Sequence, residues 1–169
     1  MAGARQNTRE NVGRVDAFSL VELMIVVTII GFLAVIAIPM VMESRRRAQD
    51  TDFINDLRLL TGQVFDYHGF ERGDFPSDAA PGVEPVGVAD SLPKRFAWSE
   101  RTAIGGYWDW ERAPFRGQTV HGFCYAGVAV YQPERTTEEM RDIDSRIDDG
   151  NLDAGMFRRT PTGYLHMIE

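Results

Sequence analysis

The sequence predicts an α+β chain: one long N-terminal helix whose second half lies across a small antiparallel β-sheet. Three observations predict it. Residues Phe18 to Met42 form a 25-residue apolar run broken by one charge, Glu22. Beyond it Ile54, Leu57, Leu60 and Val64 recur at three- and four-residue steps, the stripe of a helix with one buried face. After Gly69 come short aromatic and β-branched runs separated by Gly, Pro and Asp, which read as strands and turns. The chain therefore divides into a polar leader, 1–17, an apolar helix, 18–42, its soluble continuation, 43–68, and a globular α+β region, 69–169.

The leader is polar, without hydrophobic periodicity, and holds Arg5, Arg9 and Arg14. The apolar run has the ~20 residues that a helix needs to cross a bilayer. Apolar residues occupy every face of it, which a surface amphipathic helix would not show. Pro39 removes one backbone donor and frees the carbonyl of Val35, and Gly31 adds a second weak point. Charge does not set the orientation, since Arg5, Arg9 and Arg14 precede the span while Arg45, Arg46 and Arg47 follow it. A secretory-type cut after Ala37 is opposed by Pro39 just beyond it.

The soluble helix is expected to reach about His68, so that Phe18 to His68 spans roughly 75 Å at ~1.5 Å per residue. Residues 69–93 form a Gly-, Pro- and Asp-rich loop, with a short helical turn at Ser91–Phe96. Strands are expected at Gly105–Glu111, Thr119–Tyr125, Ala126–Tyr131 and Gly163–Ile168. Thr136 and Glu139 have the spacing of a capping box opening a helix to about Ile147, with Met140, Ile143 and Ile147 as its buried stripe.

Composition narrows the function. The net charge is −7, and about −8 beyond Ala17, which lacks the basic footprint of a nucleic-acid binder. Cys124 is the single cysteine, so no intrachain disulfide forms. The serines lack a nucleophile-elbow context, the three histidines are too scattered for a zinc motif, and no catalytic role is expected. Trp98, Trp108 and Trp110 are expected in the core beneath the long helix; exposed, they would instead offer a ligand surface. Asp148, Asp149 and Asp153 flank a Gly-Asn turn and are weak candidates for Ca²⁺, which takes several oxygen ligands from a flexible loop.

The string Ala17-Phe18-Ser19-Leu20-Val21-Glu22 resembles the processing site of type IV prepilins and of the pseudopilins of type II secretion. That family pattern is a short polar leader, a small residue, the cut, then Phe and a Thr/Ser-Leu-x-Glu run opening a hydrophobic helix. Phe18, Ser19, Leu20 and Glu22 match in place, and Pro39 sits where pilins commonly have a proline. Ala17 replaces the usual Gly, and Asp16 stands where a basic residue is common. The run Tyr67 to Pro76 is similar to the helix-to-loop exit of major pseudopilins, some of which bind calcium in C-terminal loops.

The resemblance implies a single-span inner-membrane protein with its leader in the cytoplasm and its C-terminal domain in the periplasm. A prepilin peptidase would cut between Ala17 and Phe18, and Phe18 would be methylated. The product would join a filament with other pilin or pseudopilin subunits on an inner-membrane assembly platform. Glu22 would pair with a neighbour's N-terminal ammonium, and the Pro39 region would loosen as subunits leave the membrane. A type II secretion pseudopilus is favoured over a long pilus for adhesion, motility or DNA uptake, and both over a membrane-tethered periplasmic binding domain.

Overall fold

In the computed structural model, residues 18–65, 75–94 and 96–168 are described. The leader with Ala17, and the stretch 66–74 with Tyr67 and His68, lie outside them. The chain divides into two units, one ending at Glu43 and one beginning at Ser44. Helix α1, Leu20–Arg58, contributes its first turns to the former and its last to the latter.

In the second unit α1 ends at Arg58, and the chain continues as a π-helical segment, Leu59–Phe65. The expected α-helix to His68 therefore changes its winding at Leu59. The wider turn coincides with Gly62, the weakest helix former in the stretch. Ile54, Leu57, Leu60 and Val64 are all buried, as their spacing predicts. Phe53 and Phe65, each next to a member of that stripe, are buried with them.

The sheet has four strands, β1 (Tyr107–Arg112), β2 (Ala126–Tyr131), β3 (Phe157–Arg159) and β4 (Gly163–Met167), in the order β1-β2-β4-β3. Every neighbouring pair is antiparallel. Register sets Tyr107 opposite Tyr131 and Tyr131 opposite Gly163. A side chain on Gly127 would meet the carbonyl of His166 at 2.5 Å, so β2 and β4 close only because that position is bare.

Alternation along β1 sends Trp108 and Trp110 into the main core, with Val128 and Val130 from β2 and Tyr164 from β4. The three tryptophans are all buried, which removes the exposed aromatic face that a ligand-binding reading requires. A smaller cluster of Cys124, Ala129 and Leu165 occupies the other face, and burial pushes the Cys124 thiol up to about 11. A thiol held protonated in this way is a poor nucleophile.

Two expectations are corrected. Thr119–Tyr125 is not a strand: it is a tight turn in which Val120 bridges Cys124, while His121 and Gly122 take positive φ of 49° and 82°. Left-handed residues cannot extend a ladder. The short helical turn is a 3₁₀ turn at Ala89–Ser91, ahead of Pro93. A strand not anticipated, β3, adds the sheet's far edge.

Helix α2, Thr137–Ile147, opens on the capping box expected: Thr136 accepts from the Glu139 N–H and Glu139 accepts from the Thr136 N–H. Met140 and Ile143 face the core, and Ile147 is half-buried against it. Polar contacts fasten α2 and its entry to the second half of α1. Arg135 pairs with Asp50 at 3.1 Å, Arg46 with Glu139 at 2.6 Å, and Arg146 donates to Thr51 at 2.8 Å.

Candidate functional site

The N-terminal unit is a helix with nothing over it. Phe18 is 72% exposed, and the large apolar side chains that follow are exposed on every face. The carbonyl of Ser19 accepts the N–H groups of Glu22 and Leu23, at 3.0 and 3.2 Å, which starts the helix. Glu22 thus falls in the first turn, where the helix dipole favours a negative charge. Thr28 is the one polar side chain between Glu22 and Glu43, and its hydroxyl bonds back to the Met24 carbonyl at 2.7 Å. The run is therefore without an unmet side-chain donor below Glu22, the condition that lipid imposes. The helix continues through Pro39. It is long and apolar enough to cross a membrane, with a mean hydropathy of 2.8 over its most apolar stretch.

The acidic turn after α2 is a second cluster. The structure brings Asp148 and Asp149 together with Asp144, their carboxylate oxygens lying within 4.8 Å of one another. Asp144 is fully buried, and neither of its carboxylate oxygens has a hydrogen-bond partner among the described residues. Burial raises its pKa to about 6, and the charges of Asp148 and Asp149 add to the rise; the N–H groups of Gly150 and Asn151 oppose it without reaching bonding geometry. Asp149 accepts the Asn151 N–H at 2.8 Å, and Asp148 accepts the Met156 N–H. Asp153 is placed elsewhere, in an exposed pair with Arg159 at 3.1 Å. Asp144 was not among the sequence candidates, although it precedes Asp148 by one helical turn and so shares its face.

An antiparallel sheet beneath a long helix that begins as an uncovered apolar rod, with one carboxylate in its first turn, defines a class: α+β proteins with a type IV prepilin-like N-terminus. Residues 14–38 match the prokaryotic N-terminal methylation motif. Over 89 residues the chain is 40% identical to the fimbrial protein EcpC of Eikenella corrodens, a match covering 53% of this chain and 55% of the relative. The chain thus spans about half the length of that curated relative. No solved structure matches it. The prepilin resemblance read from Phe18 to Glu22 holds for that N-terminal segment, which the methylation motif covers.

Proposed function

We propose that this chain is a structural subunit of a pilus-like filament. A prepilin peptidase cuts it between Ala17 and Phe18, Phe18 is methylated, and the mature subunit waits in the inner membrane on its apolar helix. The C-terminal domain then lies in the periplasm until an inner-membrane platform adds the subunit to the filament. The observation that supports this reading best is the uncovered apolar helix headed by Glu22 within the matched methylation motif. Exposed apolar surface on this scale requires a lipid or protein neighbour.

Glu22 gives that neighbour its register. A carboxylate taken out of water in the apolar zone costs ~2.5–3.5 kcal/mol unless paired. The ammonium on Phe18 of an adjacent subunit is a partner of the right sign, and methylation leaves its charge in place. Packing between greasy helices is otherwise indifferent to sliding, so one ion pair fixes the axial position. Pro39 leaves the Val35 carbonyl without its helical donor, which makes that turn the easiest to open when neighbours change.

Of the two filament types, the run Tyr67 to Pro76, similar to the helix-to-loop exit of major pseudopilins, favours a type II secretion pseudopilus. The fimbrial relative favours a surface pilus, which is the second reading. N-terminal sequencing and intact mass of the membrane-extracted protein test the common part. A start at Phe18 carrying one added methyl group is expected. A product that keeps residues 1–17, or lacks 18–42, overturns it.

The acidic turn is a candidate calcium site within that subunit. Asp144, Asp148 and Asp149 would hold the ion, and the orphaned oxygens of Asp144 are a donor set of the chemistry calcium takes. The ion would tie the end of α2 to the loop leading into β3.

A further inference from the structure

Glu111 and Asp109 point away from the main core, on the face of β1 opposite Trp108 and Trp110. β1 is the sheet's edge strand, and a strap of chain covers it. The strap's Ala79 and Gly82 N–H groups donate to the carbonyls of Trp110 and Trp108, at 3.2 and 2.8 Å. Asp78 accepts the Arg112 N–H at 3.0 Å, and Arg112 Nη1 donates to the Phe75 carbonyl at 3.1 Å. Between strap and strand lies a cavity of about 680 Å³, whose walls include Asp78, Asp109, Glu111 and Arg112. Its remaining lining is largely apolar, from Ala79, Ala80, Pro81, Pro114 and Val120.

In this cleft three carboxylates, Asp78, Asp109 and Glu111, face two basic groups, Arg112 and His121. His121 sits 2.5 Å from Glu111 and answers that carboxylate. Asp78 is occupied with the strand's backbone. Asp109 is 6% exposed, and its Oδ1 has no hydrogen-bond partner among the described residues. A buried carboxylate oxygen left unpartnered is costly and is a common mark of a site that an external group completes. Burial, then the charges of Glu111 and Asp78, raise the Asp109 pKa to about 7.

We infer that this cleft binds an alkylguanidinium group, its planar head on Asp109 and its aliphatic stem along the alanine and proline wall. A guanidinium presents several donors in a rigid fork and is less strongly hydrated than an ammonium, which suits a half-buried site with two or three carboxylates. The apolar wall suits methylenes. A chelated metal is disfavoured, because among the described residues the acidic side chains that converge closely enough are Asp144, Asp148 and Asp149 instead. Two sources share the chemistry: a free alkylguanidine, or an arginine presented by another protein.

The test uses the full chain in detergent and isothermal titration with agmatine, with a blocked Ala-Arg-Ala tripeptide, and with the tripeptide's neutral citrulline analogue. Binding of agmatine with no binding of the citrulline peptide is expected. Binding of the arginine peptide as well would assign the site to a protein-borne side chain, and binding of agmatine alone would assign it to a free small cation. Asp109→Asn should weaken the dissociation constant by roughly tenfold or more. Asp78→Asn, which keeps an acceptor for Arg112 while removing a charge, should weaken it less. Affinity should also fall as the pH drops below about 7, where Asp109 takes up a proton facing Asp78, Glu111, His121 and Arg112. No heat with either cation, equal binding of the citrulline peptide, or an unchanged constant in both variants would refute the site.

Discussion

Phe65 lies flat on the indole of Trp110, their ring centroids 3.7 Å apart and their planes within 5°. Phe53 does the same to Trp108, at 5.1 Å and 4°. These two stacks seat the helical segment on β1 at both ends of its contact, and the Trp110 N–H is satisfied by the Pro76 carbonyl at 3.1 Å. Phe65→Ala should therefore cost ~3–5 kcal/mol, the range for a large aromatic removed from a packed core. Phe65→Leu should cost less, since it keeps most of the apolar area and loses the stacking contribution of ~0.5–1.5 kcal/mol. Urea unfolding of the detergent-solubilised chain, followed by tryptophan fluorescence, measures both; an Ala variant as stable as the parent would contradict the role given to the stack.

The ion pairs should rank by burial. Arg135 and Asp50 have side chains 10% and 19% exposed, and Arg135 also donates to Gln49 at 3.0 Å. Arg101 and Glu134, 55% and 65% exposed, are largely solvated. Asp50→Ala should cost roughly 1–3 kcal/mol, between the values for exposed and buried pairs, while Glu134→Ala should cost less than ~1 kcal/mol. High salt should weaken the second pair and leave the first nearly unchanged. Equal losses in the same unfolding assay would show that burial is not what separates them.

Much of this architecture was legible because it obeys a period. The stripe from Ile54 to Val64, the alternation in β1 and the Thr136–Glu139 spacing each follow from one local rule. Phe53 and Phe65 escaped because each lies one residue off the stripe, and the π-helical winding after Arg58 turns neighbours such as Val64 and Phe65 inward together. β3 escaped because Phe157-Arg158-Arg159 is three residues long and two are charged; its pairing with β4 is decided by the partner strand. The 119–125 error has a local cause, since aromatic and β-branched chemistry was outweighed by His121 and Gly122 in the left-handed region. Asp144 and Asp109 were invisible for another reason: a carboxylate's burial depends on what covers it.

The capping box makes α2 sensitive to acid. Glu139 accepts the Thr136 N–H, and that bond, the Thr136 hydroxyl, Arg46 and Arg135 together hold its carboxyl below the ordinary value despite some burial. A depressed folded pKa contributes stability above the unfolded value of about 4.5, and that contribution is lost as the pH falls through the folded one. Thr136→Ala should cost ~1 kcal/mol at neutral pH, with a smaller penalty near pH 3. Thermal unfolding across that range reads it, and a penalty that grows on acidification would have the wrong sign.

Asp144 should act in the opposite sense. Its folded pKa of about 6 lies above the ordinary 3.8, so the folded chain holds this proton more tightly than the unfolded one. Stability from this group is present at low pH and declines as the pH rises from about 4 to about 6. Asp144→Asn should flatten that decline. If the acidic turn takes calcium, the ion binds the ionised form, so calcium should raise the melting temperature more at pH 7.5 than at pH 5, and Asp144→Asn should lose most of the gain. A calcium effect identical in parent and variant would move the ion away from this turn.

Glu22 is the sharpest case, because its carboxylate has little to do in an isolated subunit. It sits exposed at the start of α1, where the helix dipole already favours its charge. Replacing it with Ala removes at most a few tenths to ~1 kcal/mol from the lone helix. Among bundled helices the same change strips a pair from a water-poor zone and strands the neighbour's ammonium, a loss of ~3–5 kcal/mol per contact. Summed along a filament, that separates insertion from assembly. Glu22→Ala should therefore fractionate with the membrane and start at Phe18 like the parent, yet yield no sheared filaments by electron microscopy. Glu22→Asp, one methylene shorter, should assemble weakly. Filaments of normal length from the Ala variant would mean that the apolar faces alone set the register, and the ion pair would have no part in it.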